Sequence, residues 1–178
     1  MDNFATRPDD HTVQFVRILP GPIERVWDYL WDDKKRGEWF ASGALPSKVG
    51  ETFELNFKHS DLSPNKAPPP ERFKDMDAKG FHAKERLLAL EPMRRLVHTF
   101  GEDNPPPSED EFLLTPEGDQ VRLTLTHRKI PDRAYAVNVS GGWHSHLAIL
   151  QYKAEGKTPP PSWDVWRETE HTYEQRYE

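Results

Sequence analysis

The clearest pattern in the chain is the unbroken alternation Glu51-Thr52-Phe53-Glu54-Leu55-Asn56-Phe57-Lys58, in which Phe53, Leu55 and Phe57 share one side. A period of two marks a strand with one buried face. Gln120-Val121-Arg122-Leu123-Thr124-Leu125-Thr126-His127 repeats it, with Val121, Leu123 and Leu125 on one side and Arg122, Thr124 and Thr126 on the other. His11 to Leu19, Phe81 to Leu90, Arg94 to Phe100 and Glu109 to Thr115 also read as strands. Between them, Glu91-Pro92, Pro105-Pro106-Pro107 and Glu117-Gly118-Asp119 are separators, the last two with the composition of hairpin turns.

Helical spacing enters at three places. Pro20-Gly21-Pro22 ends the first strand and sets a proline at the first turn of a helix whose apolar positions Ile23, Val26, Trp27 and Leu30 fall on one face. Asp32 or Asp33 is placed to cap a short second helix reaching Trp39-Phe40. Later, Ser140-Gly141-Gly142 reads as the start of an apolar helix, with Val139, Trp143, Leu147 and Leu150 on one face. Lys157 to Ser162 then breaks the chain, and Ser162 is placed to cap a last short helix carrying Trp163, Trp166 and Tyr173 in a tail over 159–178. Packing on the body is the default for those tryptophans; exposed, they would mark an interface. Ser60 to Lys79, with Pro64, Pro68, Pro69, Pro70 and many charges, has neither period and predicts a mobile loop, with a lid as its sharper role. Met1 to Asp10 is expected to be solvated.

Length and composition narrow the function classes. The 178 residues suit one domain, able to bury roughly 70% of its unfolded surface. A net charge of -6 argues against a broad basic face for nucleic acid or anionic lipid. With no cysteine, disulfides, thiolate catalysis and thiolate metal sites are excluded. No apolar run follows Met1-Asp2-Asn3, so a cytoplasmic protein without membrane insertion is expected. The mean hydropathy of -0.88 is low, but six tryptophans and nine phenylalanines supply a core.

The order of elements is strand, two helices, a meander of strands and a long helix, an α+β arrangement in which a curved antiparallel sheet of about six strands wraps around the C-terminal helix. Four segments carry a family likeness: Val16 to Leu30; Gly37-Glu38-Trp39-Phe40; Leu87 to Val97; and Leu113 to His127 running on to Gly142-Trp143 and Leu147. On these the chain resembles the START-like, or SRPBCC, superfamily with its helix-grip fold. Within it, the likeness is to bacterial proteins similar to the activator of the ninety-kilodalton heat-shock protein's ATPase. The resemblance implies non-enzymatic binding of a small hydrophobic or amphipathic molecule between sheet and helix. It also raises a chaperone or other protein partner, and an enzyme of the polyketide cyclase or aromatase kind. A monomer or weak homodimer is expected, with no cofactor.

The candidate lining is Trp39, Phe40, Phe53, Leu55, Phe57, Phe81, Glu85, Leu123, Leu125, His127, Trp143 and Leu147. For each apolar member the plainer role is packing, since a buried tryptophan or leucine usually fills space. Parity points His127 inward and puts Glu85 with Phe81, Ala83 and Leu87, so both are candidate polar anchors, or else wet residues at strand ends. His144 and His146, two apart on a helix, face different ways and cannot share a metal, so His146 is expected to be a hydrogen-bonded core histidine and no metal site is expected. No Gly-x-Ser-x-Gly turn, phosphate loop or dinucleotide fingerprint occurs, and the serines fall mainly in loops, which gives nucleophilic catalysis little support.

Overall fold

A computed structural model of the protein describes residues 3–178. Its seven strands are β1 (Thr6–Asp9), β2 (Thr12–Pro20), β3 (Thr52–Phe57), β4 (Phe81–Glu91), β5 (Arg95–Phe100), β6 (Ser108–Glu117) and β7 (Gln120–Arg128). They form one antiparallel sheet in the order β1-β2-β7-β6-β5-β4-β3. Bulges in the β1/β2 and β4/β5 pairings are places where the ladder bends. The helices are α1 (Ile23–Trp31), α2 (Asp33–Gly37), α3 (Lys74–Lys79), α4 (Arg133–Ala154) and α5 (Ser162–Arg176). This is the helix-grip arrangement, with one strand more than the sequence pattern shows. The extra strand is β1, in a segment expected to be solvated; it is a polar edge, Thr6-Arg7-Pro8-Asp9, with no apolar alternation to reveal it. Met1 and Asp2 lie outside the described residues.

Parity sets the core. Val13, Phe15 and Leu19 of β2, Phe53, Leu55 and Phe57 of β3, and Val121, Leu123 and Leu125 of β7 are all buried on the sheet's inner face. Helix α1 buries Val26, Trp27 and Leu30. The Asp32 side chain caps α2 by accepting from Lys35 N at 2.9 Å. That helix ends at Gly37, short of Trp39 and Phe40, because the chain turns there around Arg36. The buried Arg36 guanidinium donates to the carbonyls of Leu30 and Trp31 at 3.3 Å, of Ala41 at 3.1 Å and of Gly43. Carbonyls left open at the end of α1 thereby gain donors, and Trp39 and Phe40 are delivered to the core.

Helix α4 begins eight residues before the glycine pair that the sequence pattern marked as its start. Asp132 caps it, its carboxylate accepting from Tyr135 N at 2.8 Å. Gly141 and Gly142 lie mid-helix, where tertiary packing outweighs their poor helix propensity. A Cβ on Gly141 would stand 3.0 Å from Trp166 Nε1, so the glycine admits α5 at close range. The α5 boundary also differs in kind: Pro161 is its cap residue, and Ser162 Oγ donates instead to His59 O at 2.9 Å.

The segment 60–79, expected to be a loop, carries α3, and short 3-10 turns at His59–Asp61 and Glu71–Phe73 flank or enter it. It packs on α5. Ser63 Oγ donates to Pro159 O at 2.7 Å, Trp163 Nε1 donates to Asp77 Oδ1 at 3.1 Å, and Arg72 pairs with Glu170. Its structure comes from partners nearly a hundred residues away, which no local period encodes.

Gly43 gives a test of the turn after α2. Its φ of +124 favours glycine, and a Cβ there would fall 1.9 Å from Glu54 O on β3. Gly43→Ala is expected to destabilise the protein by about 2 kcal/mol or more in urea unfolding, through strain and displacement of β3.

Candidate functional site

Helix α4 packs on β2, whereas beside β3, β4 and the start of β6 a space of about 790 Å3 opens beneath it. Phe57, Phe81, Ala83, Glu85 and Ser108 reach it from the strands. Tyr135, Asn138, Val139, Gly142, Trp143 and His146 reach it from α4, and Trp163 and Trp166 from α5. His59, Phe73 and Met76 close it from the arm formed by residues 59–79 between β3 and β4.

One region of the wall is aromatic. His59 lies 5.0 Å from Trp163 and 5.1 Å from His146 between ring centroids, and Phe73 stacks on Trp163 at 5.4 Å. Phe40 bridges this group to Trp143 at 4.8 Å. Offset and edge-on ring contacts of this kind add modestly to burial energy. The His146 ring is fixed by Nδ1 against Trp39 O at 2.8 Å, the hydrogen-bonded core role its position suggested. Burial pushes the His59 pKa down to about 4 and that of His146 to about 3, so both rings are neutral at pH 7.

The other region is polar. Glu85 is buried, with Oε1 accepting from Gly101 N at 2.9 Å and Oε2 accepting from Thr99 Oγ1 at 2.8 Å and Glu102 N at 3.3 Å. Burial raises its pKa, and these donors only partly offset the rise. Nearby, Ser108 Oγ lies 2.7 Å from His127 Nε2, 3.2 Å from the Tyr135 hydroxyl and 3.0 Å from Phe100 O. His127 Nδ1 faces both Trp143 Nε1 at 3.0 Å and Asp110 Oδ1 at 2.8 Å. Among the described residues, no three His, Asp or Glu side chains converge in a way that could hold a metal ion. No helix among them is long and apolar enough to cross a membrane.

The sequence-derived candidates divide. Phe40, Phe57, Phe81, Glu85 and Trp143 stand in the cavity wall. Trp39 and Leu55 border a separate void of about 10 Å3, the size of one water. Phe53, Leu123, Leu125 and Leu147 are packed in the core cluster away from the cavity lining. His127 sits behind the wall, joined to it through Ser108 and Trp143. Parity identified the inner face but not where along that face the helix parts from the sheet. Ser108, Asp110, Tyr135, Gly142, Phe73, Trp163 and Trp166 were missed as site residues. Ser108 and Asp110 carried a signal, since they continue the inward row of Phe112 and Leu114 on β6.

Comparison with known proteins bears on this geometry. A family model described as "Activator of Hsp90 ATPase homolog 1-like protein" matches residues 20–153. The solution structure of the protein encoded by gene BPP1335 from Bordetella parapertussis is 45% identical, with a TM-score of 0.84 over 98% of this chain and 91% of that one. CalU16 from Micromonospora echinospora shares the fold at 20% identity and a TM-score of 0.68, covering 98% and 94% of the two chains. DynU16, from the dynemicin biosynthetic locus, shares it at 21% identity and a TM-score of 0.62, covering 88% of this chain and 50% of that one. No curated protein matches the sequence.

Buried His146 and half-buried His59 predict a pH effect on stability. In the unfolded chain they take up protons near pH 6.5, whereas the native state keeps them neutral down to about 4 and about 3. Their contribution is therefore complete above about pH 6.5 and is lost as the pH falls through the folded-state values. Each contributes a slope of about 1.4 kcal/mol per pH unit within that window. His59→Phe is expected to flatten the fall in unfolding free energy between about pH 6.5 and about pH 4.5 by that amount. Urea titrations at stepped pH measure it.

Proposed function

Because the chain belongs to the family of Activator of Hsp90 ATPase homolog 1-like proteins, we propose that it holds a small hydrophobic or amphipathic molecule between the sheet and α4. The observation that carries this reading is the space of about 790 Å3. Protein interiors are packed to crystal-like density and rarely leave voids larger than a few waters, whereas ligand sites run to about 300–1,000 Å3. Phe40, Phe57, Phe81 and Trp143 supply apolar surface, and Glu85 and Tyr135 supply an acceptor and a donor that would orient a polar group. The molecule this wall suits is flat and largely apolar, with a hydroxyl or carbonyl at one end. Such a carrier would work in the cytoplasm.

The family's own description supports a second reading, stimulation of a chaperone ATPase through the protein surface. An unchanged ATPase rate of the cognate chaperone on adding this protein would remove it.

Native mass spectrometry of freshly purified protein is expected to show a co-purifying small molecule, or thermal-shift screening of fatty acids, phenols and aromatic acids a saturable rise in melting temperature. Absence of both a co-purifying mass and a shift would sink the binding reading. Gly142 sharpens the test: it lines the cavity, and a Cβ built on it meets nothing within 4 Å. Gly142→Leu is expected to fill that space and weaken binding at least about tenfold, while helix propensity raises stability by about 1 kcal/mol. Retained affinity in the folded variant would place the ligand elsewhere.

A further inference from the structure

The binding reading leaves one row of side chains, running from the cavity wall into the sheet behind it, without a role. Asp110 on β6 and His127 on β7 are directly opposed in the antiparallel ladder. Ser108 stands two residues from Asp110 on the same face of β6, so the pleat brings all three side chains together on the inner side of the sheet. His127 Nδ1 is 2.8 Å from Asp110 Oδ1, and Nε2 is 2.7 Å from Ser108 Oγ. The histidine and the carboxylate are fully buried, while Ser108 belongs to the cavity lining.

Proton placement gives this row its meaning. Among the described residues, neither oxygen of Asp110 receives a well-aligned hydrogen bond. A carboxylate buried in that state is strongly disfavoured. A turn of the ring that aims a proton on Nδ1 at Oδ1 relieves the cost, and it leaves Nε2 as an acceptor for the Ser108 hydroxyl proton, which in this structure goes to Phe100 O at 3.0 Å. The Trp143 indole N–H, 3.0 Å from Nδ1, belongs with the opposite tautomer, in which Nε2 donates to Ser108. Trp143 itself lines the cavity. Were a bound molecule to draw the indole away from Nδ1, the tautomer in which the serine is activated would be favoured.

We propose that Ser108, His127 and Asp110 act as nucleophile, base and positioning carboxylate, giving the cavity an acyl-transfer activity towards esters or thioesters of amphipathic molecules. The proposal rests on the binding reading, since the same cavity holds the substrate. Ser108 Oγ adds to the ester carbonyl carbon as its proton passes to His127 Nε2, and Asp110 holds the imidazolium at Nδ1. Tyr135, with its hydroxyl 3.2 Å from Ser108 Oγ, is the donor placed for the developing oxyanion. Burial raises its pKa, so it keeps that proton. The carbon–oxygen bond to the alcohol then breaks, and the alcohol leaves with the proton from Nε2; for a thioester the thiol leaves in the same way. Water attacks the acyl-serine by the same route, its proton passing through Nε2 to Ser108 Oγ as the carboxylic acid departs. Ester and water become acid and alcohol, with no redox change. A nucleophile-elbow motif is not required, because such a relay is defined by geometry and not by chain order.

The full chain is incubated with a fluorophosphonate carrying an alkyl-rhodamine tail, and its peptides are mapped by mass spectrometry. A phosphonyl adduct on Ser108 is expected. In parallel, saturable hydrolysis of p-nitrophenyl octanoate or p-nitrophenyl naphthoate is expected, falling about a thousandfold in Ser108→Ala and in His127→Gln. Labelling confined to other residues, or ester turnover unchanged in Ser108→Ala, overturns the proposal. The labelling is read on the unaltered protein, so a variant that fails to fold does not blunt it. A thermal shift with free naphthoate separates the two readings. A saturable shift without a Ser108 adduct removes acyl transfer and leaves binding standing; neither shift nor adduct removes acyl transfer and counts equally against binding.

Discussion

Helix α4 is covered by the sheet on one side and by α5 on the other, and the spacing of the two helices is set at Gly141. A side chain there would meet the Trp166 indole at 3.0 Å, so the absence of one is what lets α5 lie against α4. From that contact α5 brings Trp163 and Trp166 to the cavity, and the arm then docks on them through Phe73 and the Asp77 carboxylate. Because α4 is anchored to β2 at the opposite side of the sheet, the space beneath it opens towards β3 and β4. The cavity is thus a consequence of one helix being gripped from two directions while the sheet curves away from it.

That space has two chemical characters with different physical origins. The aromatic region is built across long sequence separations, with His59, His146 and Trp163 meeting from the arm, α4 and α5. Apolar surface of this kind gains free energy when an apolar molecule replaces water against it. The polar region is built within the sheet, where the β6/β7 register and the turn after β5 hold Glu85, Ser108, Asp110 and His127 close to one another. Strand pairing makes it rigid, and a preorganised polar group orients a ligand without further ordering cost.

Membership of a family and possession of a fold leave function open, because one fold hosts many sites. The solved structures below 25% identity share the helix-grip frame with this chain and nothing further follows from them. What bears on function is local: the carboxylate of Asp110 against an imidazole, and an imidazole against a serine in a cavity wall.

Strand positions, the first helix and the inward face of the sheet were legible in the sequence, because a pleat of period two and a helix of period 3.6 write themselves into which residues are apolar. Phe57, Phe81, Glu85 and Trp143 were found in this way. The start of α4 was misread because a glycine pair usually breaks a helix, and only the fit of Trp166 at Gly141 explains its presence mid-helix. The order in 60–79 and the strand β1 had no local signature, since both are held by partners distant in sequence or by edge pairing. Periodicity decided which side chains turn inward; where helix and sheet part, and hence which inward residues line a cavity and which merely fill the core, depends on distances between elements and was decided by tertiary packing alone.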